Sequence, residues 1–319
     1  MENMEKSIRE EAKKLLSDKS VDVIIGYERG SIPLRSSPSF IYKIEETDKL
    51  VWNSFCENNL ARFTRKREDK IGIIAKGCDS RSLIVLLKEK QIKRENLKII
   101  GVPCQGMIDR HRIEREFSLA GKEILEALEL EKEEEIILKG QGFERALKKA
   151  DYLFISCQLC RHRNPVIYDL LIGERIAERE EIEDPLIRSF EAMAPDERWD
   201  YFLKEISRCI RCYACRDACP NCYCPECFVD NTQPQWFGTS QNISDLLMYH
   251  IVRAFHQAGR CVDCGACSRA CPMGIDLHLL LQKLNLDVKN LFDYEAGLNL
   301  EEPAPLQAYN IEDSNEFFK

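Results

Sequence analysis

The stretches CIRCYACRDACP (209–220) and CVDCGACSRACP (261–272) decide the class of this protein. Each reads Cys-x2-Cys-x2-Cys-x3-Cys-Pro, so one pattern occurs twice. Thiolates at every third residue of a tight loop point three sulfurs at one iron–sulfur cube. The fourth cysteine is expected to open a helix aimed at the other cube. The spacing therefore assigns Cys209, Cys212, Cys215 and Cys271 to one [4Fe–4S] cluster, and Cys261, Cys264, Cys267 and Cys219 to a second. Zinc sites use a different pattern, two Cys-x2-Cys knuckles across a longer loop. The small residues Ala214, Gly265 and Ala266 let backbone N–H groups approach the cluster sulfides, which helps to set the potential.

Working outward, the chain holds 16 cysteines in 319 residues. Its N-terminus, MENMEKSIREEAKKLL, is charged throughout and offers no secretory apolar segment, so a cytoplasmic setting is expected. The cytosol keeps thiols reduced, which excludes a disulfide framework and leaves metal ligation. No apolar run approaches the roughly 18 residues of a membrane span. With 44% hydrophobic and 31% charged residues, the chain has the composition of an ordinary globular protein with one large or two modest domains. A net charge of −8 argues against nucleic acid as a partner, because neutralising phosphates needs a basic surface. The basic patches RFTRKRE (62–68) and DRHRIERE (109–116) hold acidic residues and read as solvated helix faces.

Residues 3–17 have helical spacing, with Ile8, Ala12, Leu15 and Leu16 on one side. VDVIIGY (21–27), IGIIA (71–75), LKIIGVP (97–103) and YLFIS (152–156) read as short apolar strands. FIYKI (40–44), KLVW (49–52) and IILKG (136–140) are further strand candidates. Helices are expected over 54–63, 80–90, 115–131 and 142–150. Strands alternating with helices predict an α/β domain with a mainly parallel sheet over residues 1–190. A helical connector with prolines at 185 and 195 leads into a ferredoxin-like α+β module over 191–285. Residues 286–319 read as a polar, acidic tail, either packed on a partner or partly disordered.

The insert between the motifs (220–260) is longer than a compact two-cluster ferredoxin needs. It carries Cys222, Cys224 and Cys227, then the helix DLLMYHIVRAFHQAG. These three thiols either ligate a further metal, with the otherwise unassigned Cys56 as fourth ligand, or are accessory thiols beside a cluster. His250 and His256, six residues apart, share no helix face and read as ordinary surface or packing residues.

Cys78, Cys104 and Cys157 each follow an apolar run. Strand C-terminal ends of a parallel sheet share one edge, where ligands bind. Convergence there, with Cys160 one Cys-x2-Cys step on, predicts a third four-thiolate cluster. The alternative is small buried thiols.

The segment AKGCDSRSL…KIIGVPCQGMID…FISCQLCRHRNPVIYDLLIGE (about 70–175) resembles the beta-subunit family of coenzyme F-420 (deazaflavin)-reducing hydrogenases and formate dehydrogenases. That resemblance implies an iron–sulfur cluster on Cys78, Cys104, Cys157 and Cys160, and a flavin (FAD) beside it. The C-terminal GRCVDCGACSRACPMGIDLHLLLQ resembles the bacterial two-cluster ferredoxins and the modules of heterodisulfide-reductase-associated electron-transfer subunits. Neither a GxGxxG fingerprint after a strand nor a P-loop is present.

Two functions follow as expectations. One is an electron-transfer subunit of an anaerobic oxidoreductase complex, partnered by other redox subunits and without substrate chemistry of its own. The other is a flavin-containing oxidoreductase that exchanges electrons with deazaflavin, ferredoxin or a nicotinamide. None of the five histidines falls in a triad-like context, so no catalytic residue is assigned.

Overall fold

Nine central residues of the structure are among the most apolar in the chain. Val23, Ile24 and Ile25, Ile71, Ile73 and Ile74, and Leu97, Ile99 and Ile100 are all buried. Such runs, apolar on both faces, suit the middle of a parallel sheet. The computed structural model describes residues 2–117, 124–130, 135–140, 142–179, 185–308 and 311–312. Two compact units divide the chain: Met1–Ser80 with Ile92–Glu180, and Arg81–Gln91 with Glu181–Lys319.

In the first unit the strands are β1 (Val23–Arg29), β2 (Ser36–Ile41), β3 (Ile71–Ala75), β4 (Leu97–Gly101), β5 (Ile124–Leu130), β6 (Glu135–Gly140), β7 (Phe143–Lys148) and β8 (Leu170–Leu171). One sheet has the order β2-β1-β3-β4-β8. Its β1, β3, β4 and β8 run parallel, and β2 is antiparallel at the edge. A mainly parallel sheet is thus present, as the alternation of runs implies. The helices of this unit are α1 (Glu2–Ser17), the opening turn of α2 (Gly77–Lys88), α3 (Arg110–Glu116) and α4 (Ile155–Gln158). On α3, Arg110 pairs with Glu114 at 2.7 Å, as a solvated charged face would.

Several expected elements take another form. Residues 124–130 and 143–148 are strands of an antiparallel sheet, β5-β6-β7, where helices were expected over 115–131 and 142–150. Glu, Leu and Ala favour helices locally, but pairing with β6 overrides that preference. On β6 the buried Ile136 and Leu138 alternate with more exposed neighbours, and with Leu147 of β7 they pack on Leu34, Phe55, Ile108, Ile113, Tyr152 and Leu153. KLVW forms no strand, only a bridge between Leu50 and Glu28. YLFIS is a 3₁₀ turn followed by α4, tied to the chain by a bridge between Leu153 and Ile108. Of residues 54–63, only Leu60–Thr64 coils, as a 3₁₀ turn.

The second unit takes the rest of α2 and adds α5 (Pro185–Ala192), α6 (Pro195–Ser207), α7 (Ala214–Ala218), α8 (Ile243–Gln257), α9 (Ala266–Arg269) and α10 (Leu277–Phe292). Among the described residues of 185–308 there is no strand, so the β component expected of the module is absent there. Its chain forms cysteine-bearing loops and helices instead. Helix α10 continues past the expected boundary at 285, and Tyr294, Ala296 and Ala304 beyond it are buried with Val85 and Val262. Arg81 Nη2 holds Ala296 O at 2.7 Å and Glu295 at 3.0 Å. The start of the supposed tail is therefore packed.

A buried ion pair fixes the β3–α2 junction. Asp79, fully buried, accepts from Leu60 N at 2.7 Å and Lys76 N at 2.8 Å, and pairs with Lys76 Nζ at 3.0 Å. Lys76 Nζ also donates to Asn58 O at 2.9 Å and to the Tyr27 hydroxyl, with its charge 4.7 Å from the Tyr27 ring centre. Removing one member of such a pair strands the other charge away from water. Asp79→Ala should cost about 3–5 kcal/mol in urea unfolding, and adding Lys76→Met should recover only the part due to the stranded charge, because the Leu60 and Lys76 N–H groups still lack their acceptor. A loss below about 1 kcal/mol in the single variant, the level of an exposed pair, would contradict this reading.

Candidate metal centres

The sequence repeat is also a backbone repeat. Arg211 and Asp263, third in their motifs, have φ of 55° and 59°; Tyr213 and Gly265, fifth, have φ of 60° and 69°. These left-handed residues curl each loop so that its N–H groups turn inward. Arg211 N–H reaches Cys209 Sγ at 3.3 Å, and Asp263 N–H bonds the Cys261 thiol in the same way. Cys215 and Cys267 lie inside the short helices α7 and α9. Cys219 and Cys271 lie just beyond the ends of those helices, instead of opening new ones.

Cys209, Cys212, Cys215 and Cys271 line one cavity, together with Tyr249 and His250. Cys219 lies within electrostatic reach of Cys264 and Cys222, and Cys267 feels Cys219, Cys264 and also Cys215. Cys261 in turn feels Cys264 and Cys267. Burial pushes the Cys219 and Cys267 thiols up to about 12, and raises Cys209 and Cys261 as well. As free thiols they stay protonated at neutral pH, and a metal that binds them must displace the protons. Among the described residues no three Cys, His, Asp or Glu side chains are drawn close enough to hold a single metal ion. A cube presents a larger frame than a single ion, with one ligand at each iron.

The insert is built onto these loops. Arg211 clamps it, donating to Ser240 O and Gly238 O at 2.7 Å each and to the Tyr213 hydroxyl at 2.8 Å. Helix α8 then places Tyr249, His250, Arg253 and Gln257 toward the cysteines, all buried. Tyr249 Oη lies 3.5 Å from Cys215 Sγ, and Gln257 Oε1 lies 3.6 Å from Cys219 Sγ. His250 takes the packing alternative of the sequence reading: it is buried, with Nε2 3.3 Å from Cys209 Sγ, a contact the sequence reading does not foresee. Burial, aided by the Arg253 and Arg211 charges, pushes its imidazole down to about 4, so it is neutral at pH 7. His256 is exposed, as expected. The signal missed in the sequence is the spacing 249, 250, 253, 257, a polar stripe on one helix face.

Cys222 lies within electrostatic reach of Cys224 and Cys227, and also of Cys219. Cys56 is in the first unit, fully buried, with Sγ 3.6 Å from Asn53 Oδ1 and 3.9 Å from Val51 O.

In the first unit, Cys78 sits in the opening turn of α2 and Cys104 three residues after β4. Both lie within electrostatic reach of Lys76, whose ammonium stays charged because the Asp79 carboxylate beside it outweighs the effect of burial. Cys104 is close to Cys157, and burial, then Cys157, pushes its thiol up to about 11. Cys157 lies on α4, not at a strand end. Cys160 is carried by the segment that follows α4, and this segment packs against both other cysteine turns. Arg163 O accepts from Cys104 N at 2.9 Å, and a Cβ added to Gly77 would lie 2.1 Å from His162 O. Glycine at 77 is thus what admits the Cys160 segment beside Cys78.

A cleft of about 450 Å³ opens beside Cys104, lined among others by Trp52, Asn53, Gln105, Gly106, Gly173 and Glu174. Gly106 and Gly173 have φ of 115° and 90°, so the wall is bare backbone at two points.

Comparison with known proteins adds the following. Residues 208–276 match the family described as 4Fe-4S dicluster domain. The chain is 27% identical to the F420-dependent formate dehydrogenase subunit beta of Methanocaldococcus jannaschii, over 94% of this chain and 93% of that protein. It is 24% identical to the F420-dependent formate dehydrogenase 1 subunit beta of Methanococcus maripaludis, over 92% of this chain and 91% of that one. A chain of the F420-reducing [NiFe] hydrogenase complex from Methanosarcina barkeri, solved with xenon, aligns with a TM-score of 0.38 and 12% identity, over 51% of this chain and 63% of that chain. The resemblance first read from residues 70–175 therefore extends over 94% of the chain: it is similar to beta subunits of F420-dependent formate dehydrogenases and carries a match to a 4Fe-4S dicluster domain toward its C-terminus.

Proposed function

We propose that this chain is an iron–sulfur electron-transfer subunit of an anaerobic multi-subunit oxidoreductase of the formate dehydrogenase or hydrogenase kind. The observation that carries this reading is the doubled cysteine motif, with Cys209, Cys212, Cys215 and Cys271 lining one cavity. Cys209, Cys212, Cys215 and Cys271 would ligate one [4Fe–4S] cluster; Cys261, Cys264, Cys267 and Cys219 would ligate the other. Each loop donates its fourth cysteine to its neighbour's cube, which holds the two cubes close together. The names of the curated relatives support formate oxidation coupled to F420 as the overall reaction. Other redox subunits of such a complex would be the partners. No helix among the described residues is long and apolar enough to cross a membrane.

A third cluster on Cys78, Cys104, Cys157 and Cys160 extends the relay. Its support is the packing of the 157–164 segment against both cysteine turns and the buried Lys76 ammonium beside them. When bound, the clusters store and pass single electrons. The chain's own residues exclude water, donate N–H groups to sulfur and supply buried positive charge.

One observation favours a catalytic role in addition. The cleft beside Cys104 falls within the usual 300–1,000 Å³ range of ligand sites, and bare backbone at Gly106 and Gly173 suits a flat ring. FAD held there would split a hydride into single electrons beside the third cluster.

Metal and flavin analysis of the anaerobically purified chain tests both parts. Three cubes predict about twelve irons with equal acid-labile sulfide. Cys78→Ala should remove about four of them and leave the ferredoxin pair intact. About eight irons in the wild type would refute the third cluster, and about sixteen would add Cys222, Cys224 and Cys227 to the ligands.

The flavin reading predicts stoichiometric FAD in the same preparation. It also predicts that Gly173→Val loses the flavin while keeping its iron. An absorption spectrum with only the broad cluster bands would sink the flavin reading.

A further inference from the structure

Helix α8 carries a charged group that the relay alone does not explain. Arg253 is 4% exposed, and among the described residues no carboxylate lies within ion-pair distance of it. Its Nη2 donates to Cys215 O at 3.0 Å, but its buried Nε has no hydrogen-bond partner among the described residues. A lone guanidinium in such a place is costly unless negative charge faces it. The groups around it are thiols. Cys267, Cys219 and Cys215 all lie within electrostatic reach of the guanidinium. Cys215 belongs to the first quartet, Cys219 and Cys267 to the second. The cation therefore sits between the two ligand sets, with one donor bound to the first loop and one left unsatisfied.

We propose that Arg253 is a positioning residue shared by the two ferredoxin-type clusters, whose fixed charge makes both easier to reduce. The proposal rests on the two-cluster reading given above. A cube with four thiolates is negative in both redox states and gains one more negative charge on reduction. A nearby cation favours the reduced state, and in a water-poor site the effect is weakly screened. One guanidinium placed between two cubes acts on both. Arginine suits the role because it stays charged at any working pH and presents five donors in a fixed fork. The insert, too long for a compact ferredoxin, is the segment that delivers it.

The test uses the full chain, purified anaerobically and reconstituted with iron and sulfide. Iron and sulfide are counted, and both clusters are titrated with dithionite under EPR detection, in wild type, Arg253→Gln and Arg253→Lys. The glutamine variant should keep its iron while both clusters become at least tenfold harder to reduce, a downward shift of about 59 mV for a one-electron couple. The lysine variant should restore most of that shift, and the difference should be the same at acid and alkaline pH. Unchanged potentials in a fully loaded Arg253→Gln protein would overturn the proposal and leave the two-cluster reading intact, as would a shift in one cluster alone. Wild-type protein without iron for the pair would overturn both. If Arg253→Gln sheds its iron, Arg253→Lys decides. Wild-type iron and potentials there support a requirement for charge, and loss of iron there too overturns the proposal in favour of a packing role.

Discussion

Many sulfurs must be brought together away from water in this molecule, and that demand shapes everything around them. Burial, with neighbouring cysteines adding to it, drives the relevant thiols toward the protonated form, to about 11 at Cys104 and about 12 at Cys219 and Cys267. Ligation needs the thiolate. Negative charge in such places persists only where metal, cations and aligned N–H groups offset it. The chain supplies the last two. Left-handed residues turn the loop N–H groups onto Cys209 and Cys261, Lys76 stands among thiols in the first unit, and Arg253 stands among them in the second.

The same demand accounts for features that look incidental in isolation. Lys76 is kept in place by Asp79, which also fixes the turn that positions Cys78. Arg211 pins the insert by two backbone carbonyls, so that α8 is held with its polar face on the cysteines. Tyr213 pays the strain of a left-handed conformation that Gly265 adopts freely at the matching position, and its ring packs at 5.2 Å on Tyr249. In each unit a short loop near the sulfur is supported by a buried charged or aromatic group.

Much of this was legible from residues. The apolar runs at 23–25, 71–75 and 97–101 announce the central strands, because a strand buried on both faces has little choice of composition. The doubled cysteine motif announces its own loops. The antiparallel β5-β6-β7 sheet was hidden, because Glu- and Leu-rich segments carry a helical signal that only pairing with β6 overturns. The short β8, two residues long, carries no pattern at all. YLFIS is apolar through packing around Tyr152 and Leu153, not through strand pairing. Helix α8 could be read as a helix, but not the direction of its polar face. Histidine, arginine and glutamine on a helix ordinarily face water, and only the cysteine loops beneath them turn that face inward.

The central claim is that two interleaved quartets of cysteine hold two cubes, each loop lending one ligand to the other. Diffraction from the anaerobic, iron-loaded chain at the iron absorption edge examines it most directly. The account predicts two iron-rich peaks in the module, one bonded to Cys209, Cys212, Cys215 and Cys271, the other to Cys261, Cys264, Cys267 and Cys219, with the Arg253 guanidinium between them. A peak bonded to Cys209, Cys212, Cys215 and Cys219 together, or a single peak in the module, would contradict it.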